Sequence, residues 1–149
     1  MQLQFDTHPR PERPIGADEI GVSSDEILKA ISRFDPIGLW RVDLDRGLTY
    51  WTDAVFEIYG WDVRPGPVDV AKAIEAYHPD DRAVVARCLE EAAKNRTGFR
   101  FVLRLERPDG GHIWVKSCGL YRKTADGTEE IYGYFEKFSA LTRSVTILN

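Results

Sequence analysis

From Phe99 to Glu106 the chain alternates without a break. Phe99, Phe101, Leu103 and Leu105 fall on one side; Arg100, Val102, Arg104 and Glu106 fall on the other. Period two is the mark of a strand with one face buried. Pro108-Asp109-Gly110 then reverses the chain, and His112 to Tyr121 reads as the returning strand, carrying Trp114. A lone hairpin is marginal in water, so this one needs a second layer to cover its apolar side.

Helices supply that layer. At His78-Pro79-Asp80-Asp81-Arg82, Pro79 fits the first helical turn, where its missing N–H would have had no partner. Asp80 and Asp81 suit the positive end of the helix dipole, and His78 takes the N-cap position. The helix from Pro79 reaches about Asn95, with Val85, Leu89 and Ala92 on one face. Upstream, Trp40, Val42 and Leu44 alternate with Arg41 and Asp43 as a strand, and Leu48 to Trp51 returns after Asp45-Arg46-Gly47. Asp53 can cap a short helix with Val55, Phe56 and Tyr59 on one face, ended by Gly60. Val70, Ala73, Ile74 and Tyr77 form another short helix. Ile131 to Phe138 is the last strand.

Before all of this, residues 1–22 read as a flexible or extended arm with Pro9, Pro11 and Pro14. Residues 23–35 read as an amphipathic helix. Ser23 and Glu26 form a capping box there, and Ile27, Leu28, Ile31 and Phe34 share a face until Pro36 blocks the helix. Residues 36–138 form the main domain and 139–149 a tail. Helices fall between the first two strands and the last three, an α+β pattern.

The 149 residues suit one domain with one core, and the formal net charge is −4. Basic and acidic side chains are interspersed, which argues against nucleic acid. No apolar run reaches the length of a membrane helix, and the N-terminus lacks a signal-peptide core, so a cytoplasmic protein is expected. Cys88 and Cys118 match no metal spacing and read as buried free thiols.

Several short motifs occur here in a fixed order: Gly38-Leu39-Trp40, Tyr50-Trp51-Thr52-Asp53, Ile58-Tyr59-Gly60-Trp61, His78 to Arg82, Phe99 to Val115 and Ile131-Tyr132-Gly133. The ordered set resembles the PAS domain, a small signalling module, over about residues 36 to 138. The resemblance implies a five-stranded antiparallel sheet of order 2-1-5-4-3, helices on one face and a flanking N-terminal helix. One departure is Val102, where the family usually has glutamate two residues before Arg104. Another is Lys137-Phe138-Ser139, where kinase- and cyclase-driving members carry an Asp-Ile-Thr junction. That junction and Met1 favour a stand-alone protein over an excised sensory domain.

Family chemistry finds few residues to work with. PAS domains that bind haem use a histidine within the long helix, whereas His78 stands at its start, His112 follows a Gly-Gly turn and His8 lies in the arm. Flavin-binding relatives use an Asn-Cys-Arg context, whereas Cys88 stands in Ala86-Arg87-Cys88-Leu89. No cofactor is expected, and an unknown small ligand remains open. Asp80 and Asp81 are adjacent and cannot face each other across a substrate, and Glu90-Glu91 and Glu129-Glu130 read as solvated faces. No nucleophile–base set, metal cluster or phosphate loop is present, so the chain is not expected to be an enzyme.

Two functions follow from the resemblance. The first is regulation by protein–protein contact with a sensor kinase or similar partner, and homodimerisation. The docking surface would carry Ile27, Leu28, Ile31, Trp40, Tyr132, Tyr134 and Phe138. The second is small-molecule sensing, in a stand-alone module or as the sensory part of a histidine kinase or cyclic-dinucleotide enzyme. Its pocket would be lined by Phe56, Tyr59, Val85, Leu89, Phe101, Leu103, Arg104 and Trp114, although Arg104 reads first as a structural salt bridge and Trp114 first as a core residue. The same residues are also what an ordinary filled core contains.

Overall fold

A computed structural model of the chain describes residues 2–7, 10–139 and 143–148. His8, Pro9 and part of the tail lie outside them. In the arm, Ala17–Ile20 form one 3-10 turn between Gly16 and Gly21, both in the left-handed region. Helix α1 (Ser24–Ser32) opens on the capping box: Glu26 N donates to Ser23 Oγ at 3.1 Å and Ser23 N to Glu26 Oε1 at 3.0 Å. These bonds hold the Glu26 carboxyl below its usual range. No residue of α1 is buried.

The main domain runs β1 (Ile37–Asp43), β2 (Leu48–Trp51), α2 (Asp53–Tyr59), β3 (Val68–Asp69), α3 (Val70–Glu75), α4 (Pro79–Asn95), β4 (Gly98–Glu106), β5 (His112–Lys123) and β6 (Glu129–Lys137). All pairings are antiparallel and the sheet order is β3-β2-β1-β6-β5-β4. The expected five strands take their expected order. The sheet nevertheless has six strands, because Val68–Asp69 adds a short edge to β2. Two residues are too few to show a period. Val68 is fully buried, and Asp69 caps α3 by accepting from Ala71 N at 2.8 Å.

The opposite edge of the sheet is closed by the start of α4. His78 N donates to the Arg104 carbonyl at 2.9 Å, and Glu106 N donates to the Ala76 carbonyl at 2.8 Å. Arg104 N donates to Asp81 Oδ2 at 2.9 Å. The segment that starts the helix thus pairs the backbone groups of β4 that would otherwise face water as an open strand edge. His78 is the N-cap, its Nδ1 accepting from Asp80 N at 3.1 Å. At α2 the N-cap is Thr52 rather than Asp53, and the Thr52 hydroxyl is used instead to accept from Leu39 N.

Strand parity then fixes the core. Gly38, Trp40 and Val42 of β1 face the helices, as do Phe101, Leu103 and Leu105 of β4 and Val115 of β5. Val55, Ile58 and Tyr59 from α2, Tyr77 and Val85 close over them. Gly38 is required by this packing: a Cβ there would lie 2.3 Å from Val55 Cγ2.

Candidate functional site

Between the helices and the inner sheet face lies a cavity of about 60 Å³. Sites that hold drug-sized ligands are several times larger, about 300 Å³ or more. Its wall is aromatic. Trp40 stacks on Phe99 with ring centres 6.0 Å apart and 18° between planes, and Phe99 stacks on Phe101 at 5.6 Å and 5°. Tyr59 is ringed by Trp51 at 4.4 Å, Trp61 at 4.9 Å and Phe135 at 5.5 Å.

Trp40 lies across a trough that only glycine leaves open. A Cβ at Gly119 would be 2.6 Å from Trp40 Cη2, and one at Gly133 would run into the Cys118 carbonyl. The ring is therefore held from below by β5 and from the side by Phe99. Its indole Nε1 is buried and meets no hydrogen-bond partner among the described residues. Buried donors are nearly always paired, and an unpaired one costs about 1–3 kcal/mol.

The other polar groups on the wall are partly committed. Thr49 Oγ1 donates to the Arg41 carbonyl at 3.1 Å, and the Tyr59 hydroxyl donates to the Ala73 carbonyl at 3.3 Å. Burial pushes the Tyr59 phenol up and the Tyr77 phenol well up, so both stay protonated at neutral pH. Cys88 packs against this cluster from α4, and burial raises its thiol too.

Of the residues proposed for a pocket from sequence, Tyr59, Val85, Leu89 and Phe101 line the cavity. Phe56 and Leu103 are buried, but not on its wall; Phe56 packs with Val68 and Ala73 in a second cluster. Arg104 and Trp114 are corrected: they point to the outer face, because their neighbours Leu103, Leu105 and Val115 take the inner one. Arg104 reaches round the sheet edge to Asp81, through Nε at 3.1 Å and Nη2 at 2.9 Å, with its guanidinium 6.0 Å from the Trp114 ring centre. The Arg104 guanidinium holds the Asp81 carboxyl below its usual range.

Trp40 is corrected in the opposite sense, from the outer surface to the cavity wall. Thr49, Trp51, Ser117 and Phe135 line the cavity and were not singled out from sequence. Ser117 had a visible signal, standing between Val115 and Gly119 on the inward parity of β5.

The outer face carries rings covered by cations. Arg41 lies over Tyr50 at 4.0 Å, Arg122 over Tyr132 at 4.7 Å and Lys116 over Tyr134 at 5.8 Å. Between the two arginines Glu130, 3% exposed, accepts from Arg41 at 2.6 Å and from Arg122 at 3.0 Å. Leu39, Leu120 and Phe138 are exposed among the large hydrophobics. Ile27, Leu28 and Ile31 on α1 are exposed as well. No group of three or more potential metal ligands occurs among the described residues. None of their helices is long and apolar enough to cross a membrane.

Residues 48–135 match the family model described as the PAS fold. The chain belongs to this family. It is similar in fold to a sensory box histidine kinase/response regulator from Burkholderia thailandensis E264, with a TM-score of 0.60 and 21% identity over 74% of this chain and 82% of that one. It is also similar to the N-terminal domain of a diguanylate cyclase with PAS/PAC sensor from Marinobacter aquaeolei. There the TM-score is 0.60 and the identity 16%, over 68% of this chain and 94% of that one. An RNA-binding light-oxygen-voltage receptor matches with a TM-score of 0.61 and 15% identity, over 74% of this chain and 31% of that one. At these identities the likeness is one of fold. An uncharacterized protein, y4lL of Sinorhizobium fredii (strain NBRC 101917 / NGR234), is 42% identical over 55 residues. That stretch is 37% of this chain and 7% of the length of that relative.

Proposed function

We propose that this PAS protein is a signalling module that acts by protein–protein contact, with no catalytic step of its own. The observation that carries the reading is α1. It is amphipathic, well capped and buries none of its residues, while Ile27, Leu28 and Ile31 stand 42%, 44% and 50% exposed. An apolar helix stripe of this kind needs a cover.

A second copy of this chain is the occupant we assign. The start of α1 is acidic through Asp25 and Glu26. The outer sheet face presents Arg41 and Arg122 around Glu130, with Leu39, Leu120 and Tyr132 exposed. Charge and apolar surface on the helix thus match charge and apolar surface on the sheet. A kinase or similar signalling protein would then meet the assembled dimer. Light scattering after gel filtration tests this: the wild type runs as a dimer, and Ile27→Asp with Ile31→Asp runs as a folded monomer by circular dichroism. A wild-type monomer, or an undisturbed dimer in the variant, refutes the assignment.

The cavity with its unpaired indole donor favours a second reading, a small-molecule sensor. The similar folds of a sensory box histidine kinase and of a diguanylate cyclase with PAS/PAC sensor support a sensory role here. Native mass spectrometry against the denatured mass tests it. Extra non-covalent mass that leaves on denaturation is expected; bare protein from every preparation counts against it.

A further inference from the structure

The cavity wall is built from aromatic, aliphatic and hydroxyl side chains and has no charged member. An ion placed there would lose its water and find no counter-charge, so the wall selects against charged molecules. A polyol fares little better, since hydroxyls pressed against rings lose hydrogen bonds to water that rings do not replace. Thr49 and Tyr59 already give their protons to backbone carbonyls. Trp40 lines the same cavity, and its Nε1 is buried without a hydrogen-bond partner among the described residues.

From this we infer that the cavity takes a small, neutral, largely apolar molecule whose one carbonyl or ether oxygen accepts a hydrogen bond from Trp40 Nε1. The inference rests on the sensing reading above and adds the chemistry of the ligand. Size follows from the cavity of about 60 Å³, about twice the share of one water in the liquid. Only a compact molecule of a few heavy atoms fits. Orientation follows from the seat of the ring. Phe99 and the Gly119 backbone fix the indole plane, so the ring is placed before any ligand arrives, and little ordering is left to be done on binding.

Dimethyl ether and propane serve as a pair of probes, alike in shape and different in the acceptor. Each is titrated into the protein while the indole N–H signals are followed by proton–nitrogen NMR, with Trp40→Phe identifying the Trp40 signal. Dimethyl ether is expected to move that signal downfield saturably, while propane does not. Trp40→Phe is expected to bind dimethyl ether about 3- to 10-fold more weakly, the factor for one neutral hydrogen bond. Equal binding of both probes without the downfield shift overturns the hydrogen-bond inference and leaves the sensing reading standing. If neither probe binds, the inference and the cavity as a ligand site both fail, and a cross-peak from Trp40 N–H to water would identify the true occupant. Should the variant fail to fold, the two probes on the wild type still decide the matter.

Discussion

Replacing Asp81 by alanine tests how the helix start is tied to the sheet. The carboxylate, on a residue 7% exposed, accepts three bonds from Arg104: from its backbone N at 2.9 Å, Nε at 3.1 Å and Nη2 at 2.9 Å. Removing one partner of a buried pair costs about 3–5 kcal/mol. The Arg104 side chain is 29% exposed and can turn partly to water, which lowers the figure. Its backbone N–H cannot turn, and left unpaired it adds about 1 kcal/mol or more. The expected loss is about 3 kcal/mol, and roughly 10 °C in Tm for a chain of this size.

Urea melts of Asp81→Ala, Arg104→Leu and the double variant give the coupling, expected to favour the pair. The pH dependence has a definite sign. Arg104 depresses the folded-state pKa of Asp81, so its contribution is present above the ordinary aspartate value of about 3.9 and is lost as pH falls through the folded value. The wild-type advantage over Asp81→Ala should therefore be constant above about pH 5 and shrink below it. A loss under about 1 kcal/mol, or an advantage that grows on acidification, would refute the account of the sheet edge.

Gly119→Ala places a Cβ 2.6 Å from Trp40 Cη2 and should cost about 1–3 kcal/mol by overpacking, whereas Gly111→Ala on the exposed turn should change the urea midpoint little. Equal effects of the two would remove the reason given for the glycine. In a Cys118→Ser background, Cys88 should react with iodoacetamide far more slowly at pH 8 than a free thiol, since burial holds its pKa up. Ordinary thiol rates would place it in water. Ser23→Ala removes the Glu26 N–H acceptor and should fray α1, seen as faster amide exchange there. In the Ile27→Asp with Ile31→Asp background, where no dimer forms, the same change should leave the melting of the main domain unmoved, because no residue of α1 is buried within the chain.

Local features were legible in the sequence and long-range ones were not. The capping box at Ser23, the proline start at Pro79 and the alternation of β4 all depend on neighbours within a few residues. The phase of β1 does not. Its two faces, Gly38-Trp40-Val42 and Ile37-Leu39-Arg41, each contain apolar residues, so parity alone could not say which one the helices cover. The decision comes from Val55, which needs the bare backbone at Gly38. Arg104 could be read from sequence as a salt bridge or a pocket contact, and the strand on which it and Trp114 alternate decides for the first by turning both away from the helices. Asp81 was explained by the helix dipole, which is correct locally but leaves out a partner 23 positions further on. The strand of Val68 and Asp69 exists only because β2 is there to receive it.

The central pairing of β1 with β6 sets Ile37 opposite Glu136. The chain therefore enters and leaves the sheet at one point, and the hundred-odd positions between form a closed circuit. A circuit has no privileged opening. Joining Lys137 to Ile37 through a short linker and cutting at the exposed Asp126-Gly127 turn would put β6 first in the chain and leave every pairing of the sheet intact. Such a permutant makes the pairing of β1 with β6 a neighbouring hairpin and hands the closure across the whole chain to β5 with β6, so it should keep the fold while moving the long-range step from one side of β6 to the other.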